Sequence, residues 1–293
     1  MGSASIAEKK SPSSENTRRR NIEECGGNMV SLTVNFYIEA AGNDRKAVET
    51  SILEIEKKLK EENISIVEIN REDPIETEDP NAKYSAVLEV KLRGELGEIV
   101  TLIMRYGPSI VEVEDVKERE ISAEELVKIL ALISKFMGGL MEKFGGLAAY
   151  PDLSAFPEPR VGYSEDEIER MIINEGLIRY QFVIEAYGKD REEIEVNMKK
   201  ALTLEGCYIN KFASQIIEEK DEGDLKRIKM LIASELLSSV ETLFTLTAKY
   251  APIGIIIIEP DIIDIKPNEL QNALSELAAM INELIHRPLL IKR

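Results

Sequence analysis

The chain has no tryptophan, one histidine and two cysteines among its 293 residues. Each shortage closes a class of chemistry. Cys25 and Cys207 make no CxxC pair, and His286 has no second histidine to work with, so neither a His/Cys zinc site nor a disulfide framework is expected. Sparse cysteine fits a reducing compartment, and a cytoplasmic location is the expectation. Neither GxxxxGKS/T nor GxGxxG occurs, so no phosphate cradle is expected, and no Ser-His-Asp triad can be located. No apolar run approaches about 18 residues, the length that suggests a membrane span. The first residues lack a basic-then-apolar signal pattern, and Ile6 stands where myristoylation takes Ser or Thr. Basic residues are short as well: Lys and Arg total 37 against 54 Asp and Glu, a net charge of −17. Nucleic-acid binding draws on Lys and Arg releasing counterions, and anionic membranes repel an acidic chain. Neither partner is expected. No catalytic residue, metal ligand or cofactor can be assigned.

What is present is a repeat. FYIEAAGNDR at Phe36–Arg45 returns as FVIEAYGKDR at Phe182–Arg191, an offset of 182 − 36 = 146. RYGP at Arg105–Pro108 returns as KYAP at Lys249–Pro252, an offset of 249 − 105 = 144. One unit is written twice, with two residues lost inside the second. The length also suggests about two domains. Hydrophobic residues at 44% and charged residues at 31% describe a globular chain. Abundant Ile, Glu and Lys without Trp is a balance found in heat-stable intracellular proteins.

In the first unit Leu32–Glu39 alternates as a strand with one buried face. Gly42 is expected to make a left-handed turn and Asp44 to cap a helix over Lys46–Glu62. Strands at Ile64–Ile69, Tyr84–Leu92 and Ile110–Glu114 and a helix at Glu95–Tyr106 complete a βαββαβ order. Arg71–Lys83 reads as a solvated loop. The pattern points to an α+β chain: a tandem duplication of a ferredoxin-like βαββαβ sandwich, each copy followed by an extra C-terminal helix. Ser122 and Glu125 form a capping box before the first extra helix, whose apolar stripe Gly138-Gly139 interrupts. The second copy is expected to have strands at Leu177–Ala186, Cys207–Glu218, Lys226–Ala233 and Ile253–Ile258. Its helices are expected at Arg191–Leu204, Glu235–Lys249 and Pro267–Ile285. The domains are then a flexible tail over 1–28 holding Arg18–Arg20, a first copy over 29–145, a linker over 146–163 and a second copy over 164–293.

The element ExxGxDR occurs as Glu39, Gly42, Asp44, Arg45 and as Glu185, Gly188, Asp190, Arg191. It is either structural (a turn glycine, a helix cap and a local Glu–Arg pair) or an anion site at a helix N-terminus. Together with the βαββαβ order, it resembles ACT-type regulatory domains. That resemblance implies a loop that helps to bind an amino acid at an interface between domains, with Gly42, Asp44, Arg45, Gly188, Asp190 and Arg191 as the ligand-binding positions.

One difference separates the copies. Outward positions Glu112 and Glu114 of the fourth strand become Ile256 and Ile258 in the second copy, where Val183, Leu231 and Ala233 also face outward. Burying an aliphatic side chain is worth roughly 1.5–3 kcal/mol, so such a face is expected to be covered by a helix, the linker or another subunit. The leading expectation is a non-enzymatic interaction module that self-associates or binds a protein partner through Val183, Leu231, Ile256 and Ile258. The alternative is an ACT-like sensor of amino acids or anionic metabolites. A carboxylate enzyme built on the acidic clusters is the third and least supported.

Overall fold

The structure, a computed structural model, describes residues 31–78, 81–114, 119–147, 153, 155–222 and 225–287, the side chains of 221–226 excepted. The expected tail, Arg18–Arg20, Cys25 and the stop at Pro288 lie outside the described residues. The chain is a mixed α+β protein with antiparallel sheets and, among the described residues, seven helices.

The first half runs β1 (Ser31–Gly42), α1 (Arg45–Lys60), β2 (Ser65–Arg71), β3 (Ile75–Glu76), β4 (Tyr84–Glu95), α2 (Leu96–Tyr106), β5 (Ile110–Val113), β6 (Arg119–Ser122) and α3 (Ala123–Phe144). The second runs α4 (Glu165–Glu175), β7 (Ile178–Gly188), α5 (Arg191–Leu204), β8 (Tyr208–Glu222), β9 (Leu225–Ser238), α6 (Val240–Tyr250), β10 (Gly254–Glu259), β11 (Ile262–Ile265) and α7 (Pro267–Ile285). The sheets are ordered β5-β1-β4-β2, with β3 beside β4, and β10-β7-β9-β8. Strand alternation decides which face is buried. Leu32, Val34, Phe36 and Ile38 of β1 and Tyr180, Phe182 and Ile184 of β7 point into the core, each at most 2% exposed.

Matching details recur in the halves. Arg105 pairs with Glu62 after α1, and Lys249 pairs with Glu205 after α5. Gly107 closes α2 in the left-handed region (φ 52°), and Ala251 closes α6 there too (φ 43°). The second copy of RYGP keeps the backbone even without its glycine, at a cost of roughly 1–2 kcal/mol.

The halves neither share one sheet nor stack face to face. β6 and β11 form a separate two-stranded sheet. Its two central pairs set Ile121 against Ile263 and Glu120 against Asp264, the latter 264 − 120 = 144 apart. From that sheet the two long helices cross over. α3 packs on α6 and β10 of the second half, and α7 packs on β5 and α2 of the first. Ser134 donates to the Pro252 carbonyl (2.6 Å) and Asn282 to the Pro108 carbonyl (2.8 Å). Gln271 of α7 seals β5, accepting from Val113 N (2.6 Å) and donating to Val111 O (2.7 Å). The buried side chains of both halves form one continuous core.

Helix α3 continues through Gly138-Gly139 to Phe144, where a Cβ at Gly138 would make only an ordinary contact with Ala251 Cβ at 3.6 Å. Two sequence expectations need correction. The loop over 71–83 contains β3, which pairs with Ser85 and Tyr84. Residues 235–238 are strand rather than helix. Leu236 and Leu237 are both fully buried, on opposite faces of β9, and Ser239 caps α6 by accepting from Thr242 N (3.2 Å).

Candidate functional site

The two ExxGxDR loops close locally. Asp44 caps α1, accepting from Ala47 N at 2.8 Å, and Asp190 caps α5, accepting from Glu193 N at 2.9 Å. Asn43 accepts from Lys83 N at 3.2 Å. Neither Gly42 nor Gly188 has a left-handed backbone. Close approach explains Gly188, where a Cβ would meet Ile194 Cγ1 at 2.6 Å; at Gly42 a Cβ would make a near-ordinary contact with Val48 Cγ2 at 3.4 Å. The expected Glu–Arg pairs do not form. Glu39 accepts from Ser85 Oγ (2.6 Å), and Glu185 pairs with Lys229 (2.8 Å). Arg191 reaches Glu195 (2.8 Å) and Ser214 (3.2 Å), and Arg45 is exposed at the start of α1.

The outer faces of the two sheets differ as read from sequence. On the first, the Tyr37 hydroxyl lies 3.3 Å from Glu112 and 3.4 Å from Glu89. Asn35 and Lys91 both hold Glu114, at 2.9 and 2.6 Å. Burial and the two carboxylates push the Tyr37 phenol up. The same three places on the second sheet are Val183, Ala233 and Ile256 (183 − 146 = 37; 233 − 144 = 89; 256 − 144 = 112). Ile256 is 59% exposed, Ala233 is exposed, and Val183 and Leu231 are half-buried. Around them Gln181, Ala213 and Gln215 are exposed and uncharged. Ile258 departs from expectation. A register shift between Ile257 and Glu259 sets Glu259 opposite Arg179 and leaves Ile258 half-buried at the irregularity.

One end of this face is covered. Gly162 donates to the Ile209 carbonyl (3.0 Å) and Tyr163 N to Asn210 Oδ1 (3.0 Å), which leads the linker across the sheet into α4. Leu237 beneath and Ile168 of α4 are buried. Here Arg179 (8% exposed) donates to Glu235 (5% exposed) at 2.7 Å and to Glu165 at 3.2 Å, and Glu259 lies at 3.5 Å. Asn210 and Lys211 also donate to Glu235, at 2.7 and 2.6 Å. Burial alone would push the Glu235 carboxyl up; the Lys211, Asn210 and Arg179 donors outweigh it and hold it down at about 2. Arg160 grips Glu167 through two nitrogens (3.0 and 2.8 Å) and stacks on Tyr163, which meets Tyr208 edge-on. Every charge in the cluster has an opposite partner, and the cluster anchors α4. Glu235 was missed because it reads as the first residue of the helix expected over Glu235–Lys249. The period-two run Ile228, Met230, Ile232, Ser234, Leu236 was the available signal.

Other reactive groups have structural partners. Burial pushes the Cys207 thiol up to about 12, beside Tyr180, whose hydroxyl meets Ser238 at 2.9 Å. His286 ends α7 with Nδ1 2.7 Å from the Asn282 carbonyl. Among the described residues no three His, Cys, Asp or Glu side chains are placed to hold a metal ion, and no helix is long and apolar enough to cross a membrane.

With this geometry in view, a family model described as the MJ0538 family matches residues 33–291. The chain belongs to the MJ0538 family. The match begins in β1 and continues past the end of α7, so both sheets and both crossing helices lie within it. A relative from Methanocaldococcus jannaschii, named Uncharacterized protein MJ0538, is 28% identical over 268 residues, covering 89% of this chain and 100% of that one. No solved structure matches the chain.

Proposed function

We propose that the chain is a non-enzymatic interaction module. In this reading it is a duplicated ferredoxin-like unit, and the second copy has exchanged a polar outer face for a contact face that binds a second copy of the chain. The observation that carries the reading is the replacement of the bonded Tyr37, Glu89 and Glu112 by Val183, Ala233 and Ile256. Sheet order, repeated ion pairs and the left-handed stops after α2 and α6 support the duplication. The apolar strip lies between the ion-paired Arg179–Glu235–Lys211 cluster and the Glu185–Lys229 pair. Two such faces can therefore meet about a twofold axis without juxtaposing unpaired charge, although the chain as a whole is strongly acidic.

Light scattering of wild type and Ile256→Glu tests this. Each symmetric contact contains two copies of Ile256, each 59% exposed in the single chain, so the substitution removes about 2–3.5 kcal/mol of apolar burial. That weakens the dimer by roughly thirtyfold or more. A wild-type chain that stays monomeric at high micromolar concentration refutes the reading.

A second reading makes the loops before α1 and α5 sites for an amino acid or anionic metabolite, as in ACT-type domains. The exposed Arg45 beside the α1 N-terminus favours it. A thermal-shift panel of such ligands checks it, and no shift at millimolar concentration removes it.

A further inference from the structure

Four strand edges border the two main sheets. Gln271 seals β5. Helix α3 lies along β10. Strand β2 has seven residues and a register shift after Ile66. Strand β8 is different: it has 15 residues, and its register is unbroken from Lys211 to Ile216.

The direction of its backbone groups follows from neighbouring bonds. Ile253 N donates to the Val183 carbonyl, so odd-numbered residues of β7 face β10 and even-numbered ones face β9. Ser234, Ile232 and Met230 of β9 pair with those even residues. Their opposite numbers on β8, namely Phe212, Ser214 and Ile216, therefore turn N–H and C=O away from the sheet. The Ile209 carbonyl, which accepts from Gly162, points the same way. Among the described residues the backbone groups of Phe212, Ser214 and Ile216 make no hydrogen bond on that side.

We infer that β8 is a second contact between copies of this chain, made by antiparallel pairing of two β8 edges about a twofold axis at Ser214. An open edge is a template for another strand. In this register Ser214 pairs with itself and Phe212 with Ile216, both half-buried core-facing side chains. Charge selects the antiparallel sense. Lys211, 69% exposed, comes beside Glu218 of the other copy, whereas a parallel pair would set Lys211 on Lys211 and Glu218 on Glu218. The contact uses the sheet's edge and not its outer face, so it does not depend on the interface proposed above.

Sedimentation equilibrium on Ser214→Pro, Ser214→Ala and Ile256→Glu separates the two contacts. Proline removes an N–H that serves no strand within the chain, and alanine controls for the lost hydroxyl bonds to Glu195 and Arg191. Ser214→Pro is expected to halve the mass and Ser214→Ala to leave it unchanged. An Ile256→Glu chain that keeps the wild-type mass, and loses its dimer on adding Ser214→Pro, upholds the edge and rejects the face; one that falls to a smaller species still held by the edge upholds both contacts. In wild type, hydrogen exchange of the Phe212, Ser214 and Ile216 amides supplies a readout independent of folding defects. Protection of at least tenfold that vanishes on dilution supports the pairing. Fast exchange at every concentration, or a mass that Ser214→Pro does not change, overturns it.

Discussion

Replacing Glu235 by glutamine tests the most unusual electrostatic feature of the fold. The carboxylate is 5% exposed and takes hydrogen bonds from Arg179, Lys211 and Asn210. Its folded pKa is about 2 against an ordinary 4.5. At about 1.4 kcal/mol per unit, that difference corresponds to roughly 3 kcal/mol favouring the folded state. Because the folded value is depressed, this stability is fully present above pH 4.5 and is lost as the pH falls toward 2. The amide cannot compensate the buried Arg179, whose other carboxylates stand at 3.2 and 3.5 Å and are more exposed. Breaking a buried pair by removing one partner costs about 3–5 kcal/mol. Urea titrations of wild type and Glu235→Gln at pH 7, 5, 4, 3 and 2 measure the gap directly. It is expected at about 3 kcal/mol at pH 7 and to close toward pH 2, since the other carboxylates are common to both chains. A gap that stays constant with pH, or is under about 0.5 kcal/mol at pH 7, refutes the reasoning.

Two backbone predictions follow by thermal melting. Gly188→Ala places a Cβ 2.6 Å from Ile194 and is expected to cost about 1–3 kcal/mol, whereas Gly42→Ala, at 3.4 Å from Val48, costs less; equal losses contradict the close-approach account. Ala251→Gly relieves a left-handed alanine and is expected to stabilise by about 0.5–1 kcal/mol, while Gly107→Ala destabilises by about 1 kcal/mol; a destabilised Ala251→Gly contradicts the equivalence of the two stops.

Sequence pattern reached the local elements because their causes are local. Val34, Phe36 and Ile38 alternate on one face, and Asp44, Ser122 and Asp190 cap the helices that follow them. The crossing of α3 and α7 had no such signal. Ser134 meets Pro252 across 118 residues and Gln271 meets Val113 across 158, and no periodicity reports a bond of that span. β6 and β11 have four residues each, too few for an alternation to stand out. The apolar face was legible at Val183, Leu231, Ala233 and Ile256. Ile258 escaped because one extra residue in β10 shifts the register without changing composition. Glu235 escaped because two buried leucines on opposite faces of a strand hide its period.

Ala233 lies at the centre of the exposed strip, so a spin label there reads the proposed contact face directly. In a chain carrying Ala233→Cys and Cys25→Ser, with Cys207 buried and unreactive, dipolar spectroscopy measures the label-to-label separation. The account predicts strong coupling across a twofold axis, which Ile256→Glu abolishes. Labels that remain uncoupled in a concentrated sample, or coupling that Ile256→Glu does not alter, would contradict it.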